Sequence, residues 1–227
     1  MFFPQKIKNI RPGDRVLEIG PGSDPHPRSD VLLELKYGTD EDRKAQFGHG
    51  TGLQSDKKIV FYDGTIFPFA DQSFEYVICS HVLEHVDNVE FFLKEIFRVA
   101  SKGYMEYPLA YYEYLYNFDV HLNLLKFDQG ILYCLKKEDT RLNDFKEIQS
   151  FYLNALRNGH SSHIDNLLPL MMEGFEWEHD FKVKRTEVLS DVLWKAYEIP
   201  ALPQPSEKEF SAYHHFKAMI RKLLHLN

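Results

Sequence analysis

Short, nearly unbroken apolar runs recur through the first half of the chain, each ending in a polar or glycine position. Residues 15–20, 31–35, 58–62 and 74–79 read as strands in this way, and 104–107 as a fifth. Runs without apolar–polar alternation are what strands covered on both faces require. Residues 11–14 (Arg-Pro-Gly-Asp) and 70–73 (Ala-Asp-Gln-Ser) are turns. Between the fourth and fifth runs, Asp87 or Asn88 can cap a helix in which Val89, Phe92, Leu93, Ile96, Phe97, Val99 and Ala100 follow helical spacing. Lys102-Gly103 is expected to stop it. The pattern predicts an α/β domain built on a mostly parallel sheet, whose ligands bind outside the carboxyl ends of the strands.

After Pro108 the pattern changes. Tyr107, Tyr111, Tyr112, Tyr114 and Tyr116 crowd one stretch, and 121–133 reads as strands around a hairpin signal at Asp128-Gln129-Gly130. Residues 138–157 look helical, 158–163 form a loop, 164–173 suggest another helix and 175–188 a strand. A proline-rich spacer at 200–205 leads to a basic amphipathic helix over 207–226, with Phe210, Tyr213, Phe216, Ile220, Leu223 and Leu224 on one side. The organisation reads as a core over 1–108, an elaboration over 109–174, and a sheet-completing strand with the basic helix over 175–227.

The marked residues fall at the expected strand ends: Glu18 to Gly22, Glu34, Asp63-Gly64 and Ser80-His81. The first of these, Val16-Leu17-Glu18-Ile19-Gly20-Pro21-Gly22, carries an apolar strand into a glycine turn that lets a ligand approach the backbone. The connection beyond Gly22 is unusual. A βαβ unit spends roughly thirty residues, yet the next apolar run opens at Asp30, and Pro25 and Pro27 make a helix between the two improbable. The loop 39–52 is polar and punctuated by glycine.

Composition narrows the function class. A net charge of −7 argues against general nucleic-acid binding, which rests on clustered Lys and Arg. Cys79 and Cys134 sit in apolar runs without metal-ligand spacing, so buried free thiols in a reducing compartment are expected. Neither a signal peptide nor a membrane-spanning run is evident, which points to a cytoplasmic globular protein.

From residue 16 to residue 108 the sequence resembles a class I S-adenosylmethionine-dependent methyltransferase of the small-molecule, type 11-like kind. The resemblance rests on the glycine turn, on Tyr62-Asp63-Gly64 with Phe67-Pro68-Phe69, and on the block from Phe74 through Ser80-His81 to Glu84-His85-Val86. It implies a Rossmann-like, mostly parallel seven-stranded sheet with a shortened first crossover and an α+β elaboration after the fifth strand. It also implies that Glu18, Gly20, Pro21 and Gly22 shape the methionine end of the S-adenosylmethionine site. By the same resemblance Glu34 holds the ribose hydroxyls, Asp63 the adenine amine with the Gly64 amide on a ring nitrogen, and the Ser80-His81 backbone the amino-acid moiety. A carboxylate suits a diol or an amine, since both are donors. The implied reaction is in-line methyl transfer to a small-molecule or glycan/lipid-precursor acceptor, with S-adenosylhomocysteine as product and no metal required. Asp24 stands where the family's third glycine is usual, and the crossover helix is lost; together these mark a subtype.

Other readings attach to single motifs. The tyrosine cluster is either core of the elaboration or a wall of the acceptor pocket. Glu106 and His121 are candidates to orient or deprotonate an acceptor, although a structural hydrogen bond is the commoner role for each. His81-Val82-Leu83-Glu84-His85 matches the H-x-x-E-H pattern of inverted zinc peptidases, which needs both histidines on one helical face and a further ligand downstream. Its place after a core strand speaks instead for His85 as a packed histidine opening the next helix. His160 and His163 read as solvated. The basic helix could meet a membrane surface or a partner, but packing on the domain or homodimer formation is its commoner fate. A protein that binds S-adenosylmethionine without turnover is the main alternative to an enzyme.

Overall fold

The sheet of this computed structural model has six strands among the residues described, which are 1–36, 39, 53, 55–160 and 167–194. β1 (Val16–Ile19), β2 (Val31–Leu35), β3 (Lys58–Tyr62), β4 (Tyr76–Ser80) and β5 (Lys102–Pro108) run parallel. β6 (Asn123–Asp128) and β7 (Ile131–Lys136) form a hairpin in a second sheet, and β8 (Met172–Glu178) returns to the first, antiparallel to β5. The order in the main sheet is β3-β2-β1-β4-β5-β8. The strands β1, β2 and β4 are buried almost throughout, as their unbroken apolar runs require.

Among the described residues the main sheet thus has six strands where seven were expected. The predicted strand over 175–188 divides instead at His179, whose φ of 69° turns the chain out of the sheet. Beyond the turn, β9 (Lys182–Arg185) pairs parallel with β7 and makes the second sheet three-stranded. The first crossover is short, as expected: residues 20–30 contain turns and no helix.

Helix α1 (Val89–Val99) buries Val89, Phe92, Leu93, Ile96 and Val99 against the sheet, and Asn88 caps it by accepting from the Phe91 amide at 3.0 Å. Lys102 and Gly103 do not stop this helix; they already open β5. Glycine is demanded at 103 because a Cβ there would lie 2.3 Å from the Val77 carbonyl and 2.9 Å from the Trp177 ring. The Phe67-Pro68-Phe69 segment is tied to α1 by charge. Arg98 donates to the carbonyls of Phe67 and Phe69 and to Glu95 and Asp71, while Glu95 accepts the Phe67 amide.

In the elaboration, Gln129 (φ 47°) and Gly130 (φ 78°) turn the β6–β7 hairpin, the primed geometry that favours glycine. The tyrosine cluster contains a short helix that apolar spacing did not indicate, α2 (Ala110–Tyr116). The helix expected over 138–157 starts late, as α3 (Lys146–Arg157). Thr140 holds the preceding chain in 3-10 turns by donating to Lys137 and accepting from Leu142. α4 (Leu168–Met171) is a single turn, since the chain enters β8 at Met172. Most of the loop 39–52, residues 161–166 with His163, the spacer 200–205 and the helix 207–226 lie outside the described residues. No helix among the described residues is long and apolar enough to cross a membrane.

Replacing Arg98 with alanine leaves the Phe67 and Phe69 carbonyls without this donor and Glu95 with only the Phe67 amide. Urea denaturation should show a loss of about 2–3 kcal/mol, whereas an unchanged midpoint would mean that the Phe67–Phe69 segment holds itself.

Candidate functional site

The parallel register lines up the carboxyl ends of four strands. Ile19 lies opposite Leu33 on one side and Cys79 on the other, so Gly20, Glu34 and Ser80 come next at one level, with Ser80 opposite Glu106. Asp63-Gly64 lies past β3, beyond the Leu35–Tyr62 pair. The positions marked in the sequence thus share one edge of the sheet.

Glu18 is buried, and its carboxylate accepts from the His26 amide at 2.8 Å and the Ser29 hydroxyl at 2.6 Å. Burial pushes its pKa up, against the pull of those two donors and of Lys57. Lys57 reaches the same turn, donating to the His26 and Pro27 carbonyls. Glu18 thus holds the shortened crossover through one carboxylate oxygen, Oε2, which takes both donors. Gly20 has φ +59°, and a Cβ on it would meet Val82 at 2.6 Å; Pro21 beside it is buried. At Gly22, φ is +63° and a Cβ would point into open space. That combination leaves bare backbone facing outward at the turn.

Glu34 is buried at the end of β2, where its carboxylate accepts the Leu35 amide. Asp63 is exposed. Thr65 donates to its Oδ1 through both hydroxyl (2.5 Å) and amide (3.0 Å), and these bonds hold the carboxyl below its ordinary pKa.

Glu106 is 1% exposed and takes five donors: the amides of Phe2 (2.6 Å) and Phe3 (2.9 Å), Tyr104 Oη (2.6 Å), Ser80 Oγ (3.1 Å) and His81 Nε2 (2.9 Å). Burial opposes its charge, but His81 and Tyr104 outweigh burial and bring its pKa down to about 2. His81 sits at φ 56°. Burial works against its charge too, yet Glu106 and Glu84 push its pKa up to about 9. The His81 amide donates to the Glu106 carbonyl at 2.8 Å, so of this residue's backbone only the carbonyl is left for a ligand. With five donors on it, the Glu106 carboxylate is a positioning group and has no capacity left to take a proton from an acceptor.

His121, the other candidate base, is buried in the elaboration. Its Nδ1 donates to Glu113 at 2.5 Å, and Glu113 also pairs with Lys137 at 3.2 Å. The ring of His85 meets that of His121 edge-on, 4.7 Å between centroids, and His85 Nδ1 donates to the Val120 carbonyl at 3.0 Å. Glu84 lies beside both and is fully buried. The H-x-x-E-H segment is not a helix but a loop with one 3-10 turn over Leu83–His85. His81 and His85 therefore do not share the helical face that the peptidase arrangement needs, and His85 precedes α1 without opening it. Leu122 donates to the Glu84 carbonyl at 2.6 Å, and Asn123 donates to those of Leu83 and Val86. Glu113, Val120 and Asn123 escape sequence reasoning, for they lie in a stretch with no motif of its own.

The tyrosines are largely committed to packing. Tyr107 donates to Glu173, Tyr111 accepts the Trp194 amide, and Tyr112 stacks on Phe118. Cys79 and Cys134 are free and buried, as expected.

A mostly parallel sheet with glycine and acidic residues at its carboxyl edge defines a Rossmann-like α/β protein, the edge being where such sheets take their ligands. More narrowly, residues 38–105 match the model of a methyltransferase domain, a stretch that begins after the glycine turn and Glu34 and includes Asp63, Gly64, Ser80 and His81. No curated protein matches the chain. Solved structures similar to it include YcgJ from Bacillus subtilis, with 22% identity, a TM-score of 0.33 and coverage of 45% of this chain and 47% of that one. Others are S-adenosylmethionine-dependent methyltransferases from Mesorhizobium loti (14%, 0.33, covering 54% and 56%) and Methanosarcina mazei (17%, 0.32, covering 53% and 69%). The chain thus spans about half the length of YcgJ. Similarity of this order bears on neither substrate nor mechanism.

Glu106 makes the site sensitive to acid. Its carboxyl is held at about 2 against an ordinary 4.5, so its stabilisation is complete above pH 4.5 and is lost as pH falls toward 2. Glu106→Gln should cost about 2–3 kcal/mol at pH 7, and the gap to wild type in denaturation curves should narrow between pH 4.5 and 2. A gap independent of pH would show that the charge is not what stabilises.

Proposed function

We propose that this chain is an S-adenosylmethionine-dependent methyltransferase acting on a small-molecule acceptor, with glycan or lipid precursors within that class. The observation that carries the reading is the common level of Gly20, Glu34 and Ser80 at the sheet's carboxyl edge, in a chain whose residues 38–105 match a methyltransferase domain.

The residues suit the cofactor. Gly22 offers backbone with open space before it, and the left-handed Gly20 turn brings the chain close without a side chain. Glu34 and Asp63, on neighbouring strands, supply acceptors for a ribose diol and an adenine amine. The His81 carbonyl can accept from an ammonium group, and the acidic edge favours a sulfonium. When bound, S-adenosylmethionine supplies an already activated methyl group for in-line displacement.

What the chain must then contribute is mainly alignment and exclusion of water, worth up to ~7–11 kcal/mol in favourable cases. Glu106 fixes Ser80 and His81 at the cofactor edge, and Glu18 fixes the glycine turn. A general base would add about 10²–10⁴-fold if the acceptor must lose a proton. Glu106 cannot serve, because its oxygens are filled.

Calorimetry with S-adenosylmethionine and S-adenosylhomocysteine tests the reading. Wild type should bind both, and Asp63→Ala should weaken each at least about tenfold, the loss of one charge-assisted hydrogen bond. Failure of the wild type to bind either compound would sink it.

A further inference from the structure

We propose that Glu84, His85 and His121 form a binding site for a divalent transition-metal ion of the zinc type. One ligand atom from each lies within 4.8 Å of the other two. Around a zinc ion with bonds of about 2.0–2.2 Å, ligand atoms sit roughly 3.3–3.6 Å apart, so small side-chain rotations close the set.

Glu84 points to an ion most directly. Its side chain is fully buried, and neither carboxylate oxygen has a hydrogen bond. Such a carboxylate is costly unless cations meet it; the His81 ring stands near Oε1 but is shared with Glu106, and no described residue bonds Oε2. His81 Nδ1 approaches Oε1 at 3.3 Å without hydrogen-bond geometry, and the same ring is already bonded to Glu106 through Nε2 at 2.9 Å. His85 Nε2 stands 3.9 Å from Oε1.

Both histidines are prepared for coordination. Each uses Nδ1 as a donor, His85 to the Val120 carbonyl and His121 to Glu113, so in the neutral ring Nε2 is the lone-pair nitrogen that a metal ion would take. A second acceptor behind the ring fixes the tautomer and raises the basicity of the ligating nitrogen. Lys137 in turn holds Glu113 at 3.2 Å. The backbone around Glu84 is clamped by Leu122 and Asn123, so the turn that carries it does not rely on the ion for its place.

Two imidazoles and one carboxylate select zinc and its transition-metal neighbours, whereas magnesium and calcium prefer all-oxygen sets. With three protein ligands, the ion keeps a position for water or for a heteroatom of another molecule. Glu84 would be a ligand here and not the base of a hydrolase. The site stands on these side chains alone and does not depend on the cofactor proposed for the glycine turn.

The test uses the whole chain, freed of metal with a chelator and titrated without S-adenosylmethionine. Zinc should bind at one equivalent, magnesium should give no heat, and His85→Ala and His121→Ala should each weaken zinc binding at least tenfold with unchanged circular dichroism. A measurement on the wild type covers the case in which a variant fails to fold. Cobalt should shift the imidazole proton resonances of His85 and His121 and be displaced by zinc. No stoichiometric zinc binding, zinc retained in both variants, or cobalt shifts confined to other histidines would each overturn the proposal. None of these outcomes alters the expected binding of S-adenosylmethionine.

Discussion

The Glu106 carboxylate, buried at the end of β5, is the junction on which this architecture depends. It gathers the amides of Phe2 and Phe3, the Tyr104 hydroxyl, Ser80 and His81 around one negative charge. A charge out of water is tolerable only when its lone pairs are filled, and five donors fill them. The consequence is geometric. The start of the chain, the exit of β4 and the last part of β5 are held to one point, and His81 is held there in a left-handed conformation that a non-glycine residue adopts only under such constraint.

A second buried carboxylate solves a different problem at the neighbouring strand. Without a crossover helix, the chain must travel from β1 to the adjacent parallel β2 in a few residues. Glu18 accepts from His26 and Ser29 at the far side of the turn, and Lys57 donates to two of the turn's carbonyls. Polar groups that a helix would have satisfied internally are instead satisfied by side chains. The residue that the family resemblance places at the cofactor is, in geometry, the strut of the shortened connection.

The elaboration after β5 is joined to the sheet edge through the turn that carries Glu84. Leu122 and Asn123 grip that turn by its carbonyls, while Val120 and Glu113 orient the two histidines beside it. The elaboration therefore also completes a constellation of which H-x-x-E-H is only half.

The sequence by itself determined the strands of the parallel sheet and the capped helix α1, because burial on both faces and a 3.6-residue period each leave an unmistakable local pattern. It also determined the short first crossover, since two prolines exclude a helix there. The same pattern showed which residues stand at the strand ends. Less of the second half was legible. The short α2 hid within the tyrosines, α3 began late behind Thr140, and a positive φ at His179 sent the last described strand to another sheet. Local periodicity carries no information on such long-range choices. What each polar side chain does was decided by tertiary structure alone. Glu106 looks like chemistry in one dimension and proves saturated in three, and Glu18 proves tied through one oxygen to the shortened connection, whereas Glu84, ordinary within its motif, proves buried without a hydrogen bond beside two histidines, one of them far along the chain. Hydrogen-bond satisfaction depends on partners distant in sequence, so no reading of neighbours could have assigned it.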